Sequence, residues 1–502
     1  MFPEEMPLGG MGSPVPTPTE PVSALRILKN VSSSLVSLMG ALIIGFAVSW
    51  LLARSLGDTV YGQYVFLLGI AGILTAFADL GLSQVNTREV ARDKPNAGRH
   101  ALTAVGLRLT ANGVILIVAL VLLWMDADIR SHELMAMMVI VTMMITLLSD
   151  LLRSTFNGFE RLELDLITRI SERAVTLVII ILLVVGGISL DAAITGILVG
   201  AVAGLIITVG TLVRIPQIHP MHLIVRDIPA LFTAGLPIGL SILVVSFYAR
   251  YDVLVLGILR TPSEVAWFSV AYSLVQILVS LSFAASSTLF PVFSRLAHNG
   301  QFAHHQLLFR EALRYTLVIA FATAGLTFVS AWPIISLMYG PTYAPATEAL
   351  HILSLALAFM FPVHLMINVL FSLNRQRWVL MTHVVSGVML LFLDPILISW
   401  QGVEGAAISN VIIEGTIFII CLALITRLLG PIEWGTFLRP LGAAAAAALL
   451  YALWPLPELP RAMIALALYV LGLIALRAIT AADVQRFRLA FAARLNSQSD
   501  VA

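Results

Sequence analysis

The stretch Phe247–Gly257 reads FYARYDVLVLG and sets Arg250 two residues before Asp252 inside a long apolar run. An ionisable side chain within a membrane span costs at least ~2.5–3.5 kcal/mol on insertion scales, so such residues face protein or a wet cavity and mark substrate or ion paths. Asp79, Arg108, Asp150, Asp394 and Glu414 are in the same situation. Two chemistries follow. A planar guanidinium binds oxyanions through paired hydrogen bonds and keeps its proton, so Arg250 and Arg108 suit a diphosphate. A carboxylate in a span can hold a proton or a cation, which makes Glu414, Asp79 and Asp394 the ion-coupling candidates. Asp252 is grouped with the two arginines as a substrate-binding candidate.

Helical spacing constrains these roles. Residues i and i+2 do not face each other on a helix, so Arg250 and Asp252 are not a simple ion pair. On a continuous helix Arg250 shares a face with Gly239, Leu243, Ser246, Val253 and Gly257. Asp252 shares a face with Ser241, Val245 and Tyr248, with Tyr248 one turn back as a hydrogen-bond donor. The expectation is that Arg250 points into a central cavity and Asp252 is held against a neighbouring helix. The competing reading has partners on adjacent spans satisfying both. Arg108 either snorkels to the inner surface or adds positive charge to the cavity mouth. Asp79 and Asp150 sit near inner span ends. Asp394 precedes Pro395, where a break or kink is expected. Glu414 lies near the middle of its span and is the best-placed protonatable group; the bland alternative is a hydrogen-bonded structural acid.

Several chemistries are excluded or weak. Only Lys29 and Lys94 are lysines, preceded by Leu28 and Asp93, so there is no Gly-Lys-[Ser/Thr] phosphate loop. His304 and His305 diverge on a helix and lack the spacing of metal ligands, so no metal and no cofactor is expected. A net charge of +1 leaves no footprint for nucleic acid. Cys421 reads as a buried, inert thiol.

The elements that must position these groups are membrane helices. The chain is 59% hydrophobic and 11% charged, against roughly 25% charged in soluble domains. About fourteen stretches reach the ~20 apolar residues that a span needs: 31–53, 60–82, 101–124, 133–155, 167–186, 191–213, 232–259, 265–290, 312–333, 347–373, 378–400, 405–426, 441–457 and 461–480. Basic residues crowd alternate loops, and the loops between them hold only Arg54, Arg130, Arg260 and Arg461. The positive-inside rule then puts both termini in the cytoplasm and the protein in the inner or plasma membrane. VYGQY at 60–64 and VAWFSVAY at 265–272 open equivalent spans of two halves. An even number of spans per repeat relates the halves by an axis along the membrane normal, which favours alternating access between them. The fold class is therefore an all-α polytopic membrane protein, with two pseudo-symmetric six-helix lobes and two C-terminal helices. The expected divisions are 1–25 (a Pro/Gly-rich disordered tail without signal-peptide features), 26–226 and 227–430 (the lobes), and 431–502 (two extra spans and a cytoplasmic tail).

Four segments in order carry a family resemblance. LLARSLGDTVYGQYVFLLGIAGILTAFADLGLSQVNTREVAR resembles the opening of the polysaccharide transport proteins, the O-antigen-type flippases. FNGFERLELDLITRI resembles their loop after the fourth span, and the region from GLPIGLSILVVSFYARYDVLVLGIL to FPVFSRL resembles the start of their second half. LMYGPTYAPATEALHILSLALAFMFPVHLMINVLFSLNRQR is similar as well. The resemblance covers about residues 26–430 and implies the two-lobed fold of the multidrug/oligosaccharide-lipid/polysaccharide exporter superfamily. It implies a flippase moving polyprenyl-diphosphate-linked oligosaccharide from the inner to the outer leaflet, with membrane lipids and envelope polymerases as neighbours and a monomer as the working unit. Asp252 matches the family's span-seven acid, whereas Arg250 matches no fixed family residue. Ala266 and Phe268 depart mildly from its pattern. The two additional spans could shape a lateral groove for the lipid tail. A cation-coupled drug or metabolite exporter of the same fold is the alternative. A membrane glycosyltransferase or polymerase is the second alternative, disfavoured by short external loops.

Overall fold

The computed structural model describes residues 24–79, 81–125, 133–215, 246–453 and 458–476, together with isolated positions between 233 and 244 and residue 478. Every long element is a helix, because a backbone in lipid must satisfy its own hydrogen bonds. The first lobe holds α1 (Ala24–Leu56), α2 (Asp58–Asp79), the short α3 (Leu82–Arg92), α4 (Ala97–Met125), α5 (Glu133–Gly158), α6 (Leu162–Val185) and α7 (Leu190–Val213). The second holds α8 (Tyr251–Leu259), α9 (Pro262–His298), α10 (Phe302–Val329), the short α11 (Ala331–Tyr339), α12 (Ala346–Ser372), α13 (Gln376–Gln401) and α14 (Val403–Leu429). Helices α15 (Gly435–Leu453) and α16 (Glu458–Ala475) pair with each other and lie against α10. Among the described residues, nine helices are long and apolar enough to cross a membrane.

The two lobes repeat one packing plan. In the first, α5 packs on α2 and α7, and α7 packs on α6. In the second, α12 packs on α9 and α14, and α14 packs on α13. The fold is thus the two-lobed, all-helical membrane architecture of about fourteen spans read from the sequence. Span seven, read as 232–259, lies largely outside the described residues before position 246.

Local sequence sets the helix ends. Thr261 caps α9, with Pro262 in its first turn: the Glu264 N–H donates to Thr261 Oγ1 at 3.4 Å, and Thr261 Oγ1 donates to Glu264 Oε1 at 3.4 Å. Gly81 at φ 69 ends α2 and turns the chain into α3. Two expectations change here. Helix α13 runs unbroken through Pro395, with Asp394 fully buried one residue before it. Span seven is not one continuous helix: turns at 249–250 separate its halves, and Arg250 caps α8 at φ −124 and ψ −9.

The lobes meet along a seam of α1 and α2 against α8, α9 and α11. At the end of the molecule poor in basic residues, Gly62 lies flush against the Pro262 carbonyl, where a β-carbon would collide. One step deeper, Phe66 fills the space left by Gly257. Deeper still, Gly69 faces Val253 and Gly72 faces the Arg250 side chain. Polar contacts lock the rim. Trp50 Nε1 donates to the Met338 carbonyl at 2.7 Å, Tyr343 Oη to the Ala53 carbonyl at 2.8 Å, and Trp267 Nε1 to Asp58 Oδ2 at 3.2 Å. Arg54 Nη1 donates to the Leu337 carbonyl at 2.8 Å. Across the same line Thr59 and Ser263 share a hydroxyl hydrogen bond of 2.9 Å.

Candidate functional site

Arg250 stands at the deep end of this seam. Its side chain crosses Gly72 of α2, where an added β-carbon would sit in ordinary van der Waals contact with it. Its electrostatic neighbours are the hydroxyls of Tyr64 on α2 and Tyr272 on α9. Among the described residues it has no acidic partner, and it is half-buried. An arginine without a counter-charge, held between two lobes, is a ready site for an anion. Tyr64 also lies within electrostatic reach of Arg173 on α6, an exposed residue with no ion pair among the described residues. Two arginines, one from each lobe, therefore address the same tyrosine. Arg173 lies on α6, which packs beside α1.

Asp252, two residues on, faces elsewhere. It is 6% exposed and accepts a hydrogen bond from Asn410 Nδ2 at 3.2 Å. Asp394 on α13 lies within hydrogen-bonding reach of it and accepts from Ser409 Oγ. Asp252 Oδ1 and Asp394 Oδ2 are both buried without a protein donor. Glu414, on the next turn of α14 from Asn410, is 8% exposed and accepts from Tyr248 Oη at 3.4 Å. The expected Tyr248 bond to Asp252 is therefore made to Glu414 instead, because the turn at 249–250 breaks the helical register between them.

Arg108 and Asp79 are brought together, away from this group. The Arg108 side chain is completely buried and donates through Nη2 to Asp79 Oδ1. Arg108 thus neither snorkels nor lines an open mouth in this structure, and Asp79 is buried with it. A second buried pair escaped the sequence reading: Arg153 Nη2 donates to Glu172 Oε2. Arg153 also reaches Asp150 at 3.1 Å, and Asp150 and Asp165 both accept from Arg169, at 3.0 and 3.2 Å. The missed signal is Gly204 on α7, which leaves no room for a side chain beside Glu172. His305 is fully buried against Phe293, with Nε2 sharing a 3.1 Å hydrogen bond with Ser372.

A lateral apolar groove of about 500 Å³ opens between α10, α12, α15 and α16. Alanines and glycine of α10 and α15 keep it open, and Phe321, Phe328 and Leu466 wall it. Tyr469 closes one side, with its hydroxyl donating to the Val318 carbonyl at 2.8 Å. Among the described residues, no group of three or more His, Cys, Asp or Glu could hold a metal ion.

The family described as polysaccharide biosynthesis protein matches residues 27–297, more than half of the chain, and the MatE family matches residues 237–396. A curated relative, the probable low-salt glycan biosynthesis flippase Agl15 of Haloferax volcanii, is 23% identical over 394 residues, 76% of this chain and 80% of that protein. Among solved structures, the lipid II flippase MurJ in an inward closed conformation superposes with a TM-score of 0.73 at 13% identity, covering 89% of this chain and 98% of that one. An inward-facing multidrug resistance transporter of the MATE family gives 0.63 at 16% identity, covering 77% and 94%. A MOP superfamily transporter from Pyrococcus furiosus, described by the reversed polarity of its binding pocket, gives 0.57 at 14% identity, covering 80% and 95%.

Proposed function

This chain belongs to the polysaccharide biosynthesis protein family, and from that premise we propose that it is a flippase for lipid-linked glycan. The substrate is a polyprenyl-diphosphate-linked oligosaccharide, carried from the inner to the outer leaflet of the cell membrane with both termini in the cytoplasm. The observation that carries this reading is Arg250, an arginine without an acidic partner where the interlobe seam ends. With the basic-poor end outside, the seam closes the outer face and the substrate approaches Arg250 from the inner leaflet. The diphosphate meets Arg250 there, with Arg173 approaching from the other lobe. The polyprenyl tail stays in lipid and lies in the groove beside α15 and α16. Moving the seam from one face to the other is alternating access.

No nucleotide site is needed in this scheme. Asp252 with Asp394, and Glu414 with Tyr248, are the coupling groups, because each holds buried carboxylate charge with no basic partner among the described residues. Asp79 and Arg108 neutralise each other and serve the first lobe's packing. The functional neighbourhood includes the enzymes that make and polymerise the glycan, and one chain is the working unit.

A second reading, a cation-coupled exporter of drugs or metabolites, draws on the MatE match and the acid cluster. A leaflet-accessibility assay in liposomes separates the two. Labelled polyprenyl-diphosphate-linked sugar should become accessible in the opposite leaflet without added nucleotide, and excess cationic drug should not compete. Competition by the drug, with no movement of the glycolipid, would favour the exporter.

A further inference from the structure

The arginines at the basic-poor end of the molecule are not all used alike. Arg54 Nη1 donates to the Leu337 and Met338 carbonyls at 2.8 and 3.0 Å, in the last turn of α11. Arg260 donates to the Ile398 and Ser399 carbonyls at 2.9 and 2.8 Å, in the last turn of α13. Both satisfy carbonyls that have no partner within their helix. Arg461, in the first turn of α16, is held differently. Its guanidinium lies over the Tyr451 ring, 4.2 Å from the centroid, and Nη2 donates to Tyr451 Oη at 3.1 Å. Its Nε is buried without an acceptor, and it forms no ion pair among the described residues. The side chain is half-buried, so the tyrosine fixes one side of the guanidinium and leaves the rest of its donors for an acceptor from outside the chain.

Tyr451 ties this arginine to the lateral groove. Its ring lines the groove together with Ala448 on α15 and Val329 on α10. Leu326, Leu355 and Leu466 line it too and remain exposed, so the groove opens toward lipid. An apolar trough with a cation at its mouth is the complement of an anionic amphiphile. We propose that Arg461 and the groove form a release station for the flipped lipid, with the diphosphate on Arg461 in the outer leaflet and the adjoining part of the tail in the trough. The proposal rests on the flippase reading above, which lays the tail in this groove. Tail and diphosphate are one molecule, so once the head has crossed, the diphosphate stands where the groove meets the outer surface. The guanidinium there binds phosphate oxygens through charge-assisted hydrogen bonds. Arg250 then receives the diphosphate on one side of the membrane and Arg461 on the other.

The test is photolabelling of the full chain in liposomes. The probes are a short polyprenyl diphosphate with a photoreactive group near its head and the matching polyprenyl alcohol, and labelled peptides are located by mass spectrometry. In the wild type the diphosphate should label the Tyr451 end of the groove about tenfold more strongly than the alcohol, the scale of one charge-assisted contact. Arg461→Gln should bring the diphosphate down to the level of the alcohol. Ala448→Phe, which fills the groove, should reduce labelling by both. Equal labelling by the two probes in the wild type would overturn the proposal, and so would a preference that survives in Arg461→Gln. Displacement of the diphosphate by an equal amount of phosphatidylglycerol would overturn it as well, because the site would then belong to a bilayer phospholipid. Transfer of labelled glycolipid across the same liposomes judges the flippase reading separately. Transfer without an Arg461-dependent preference leaves that reading standing and removes the station. The preference without transfer leaves the diphosphate site standing and removes the flippase reading.

Discussion

In the first lobe Arg108 meets Asp79 and Arg153 meets Glu172, whereas in the second the side-chain donors to Asp252, Asp394 and Glu414 among the described residues are the uncharged Asn410, Ser409 and Tyr248. The two halves share a packing plan, so the difference is not one of architecture. A buried pair offsets part of its desolvation cost through mutual attraction, and breaking it strands a charge. An unpaired buried carboxylate leaves that cost open until a proton or cation arrives. The buried charges of the first lobe are therefore paired, or closed, although Arg108 Nε and Nη1 and Arg153 Nε lack partners, and among the described residues those of the second are open. The open charges lie beside the break in span seven, where the two lobes also touch through Gly72 and Arg250. A lobe with settled charges suits a rigid body, and one with unsettled charges suits a coupling site.

The largest expected effect breaks the closed lobe. Arg108→Ala or Arg153→Ala leaves Asp79 or Glu172 as a stranded charge and should cost about 3–5 kcal/mol. It is read as a sharp fall in the thermal midpoint in detergent and in yield. Removing both partners, as in Arg108→Leu with Asp79→Leu, should recover much of that loss. If the single changes leave the midpoint untouched, the first lobe is not held as described.

The seam comes next. Gly62→Ala puts a methyl group against the Pro262 carbonyl, an overpacking worth about 1–3 kcal/mol. The strain falls on the closed state, so the chain should shift toward opening at the Asp58–Trp267 rim. Spin-label distances between positions 59 and 263 should lengthen. Unchanged distances would mean that the seam tolerates the methyl group and does not set the conformational balance.

The smallest effect on stability belongs to the open lobe, and its sign is reversed. Asp252→Asn and Glu414→Gln remove charge that no base answers, so the thermal midpoint should hold or rise slightly. Transport should nevertheless fall, and its pH dependence should flatten in Glu414→Gln. A large loss of stability in either variant would make these acids structural and erase the contrast between the lobes.

The membrane class, the repeat and the charged positions were legible because apolar length and rare charge are one-dimensional signals. Asp252, Asp394 and Glu414 all stood out in that way. Their company did not. The Asp79–Arg108 pair spans two helices, and Glu172 hid between the basic residues Arg169 and Arg173 in the span read as 167–186. The break at 249–250 removed the helical register on which a Tyr248–Asp252 bond depended, and no glycine or proline at those positions announces it. Tyr272 carried no signal at all, since an aromatic residue in an apolar span reads as packing. Pro395 gave a false one: its ring is accommodated within α13 without ending the helix.

The account rests most heavily on Arg250. Arg250→Ala should keep the wild-type thermal midpoint, since no acid is stranded by its loss, and should lose at least tenfold in the rate at which labelled polyprenyl-diphosphate-linked sugar crosses reconstituted liposomes. Wild-type flipping by a folded Arg250→Ala protein would contradict it.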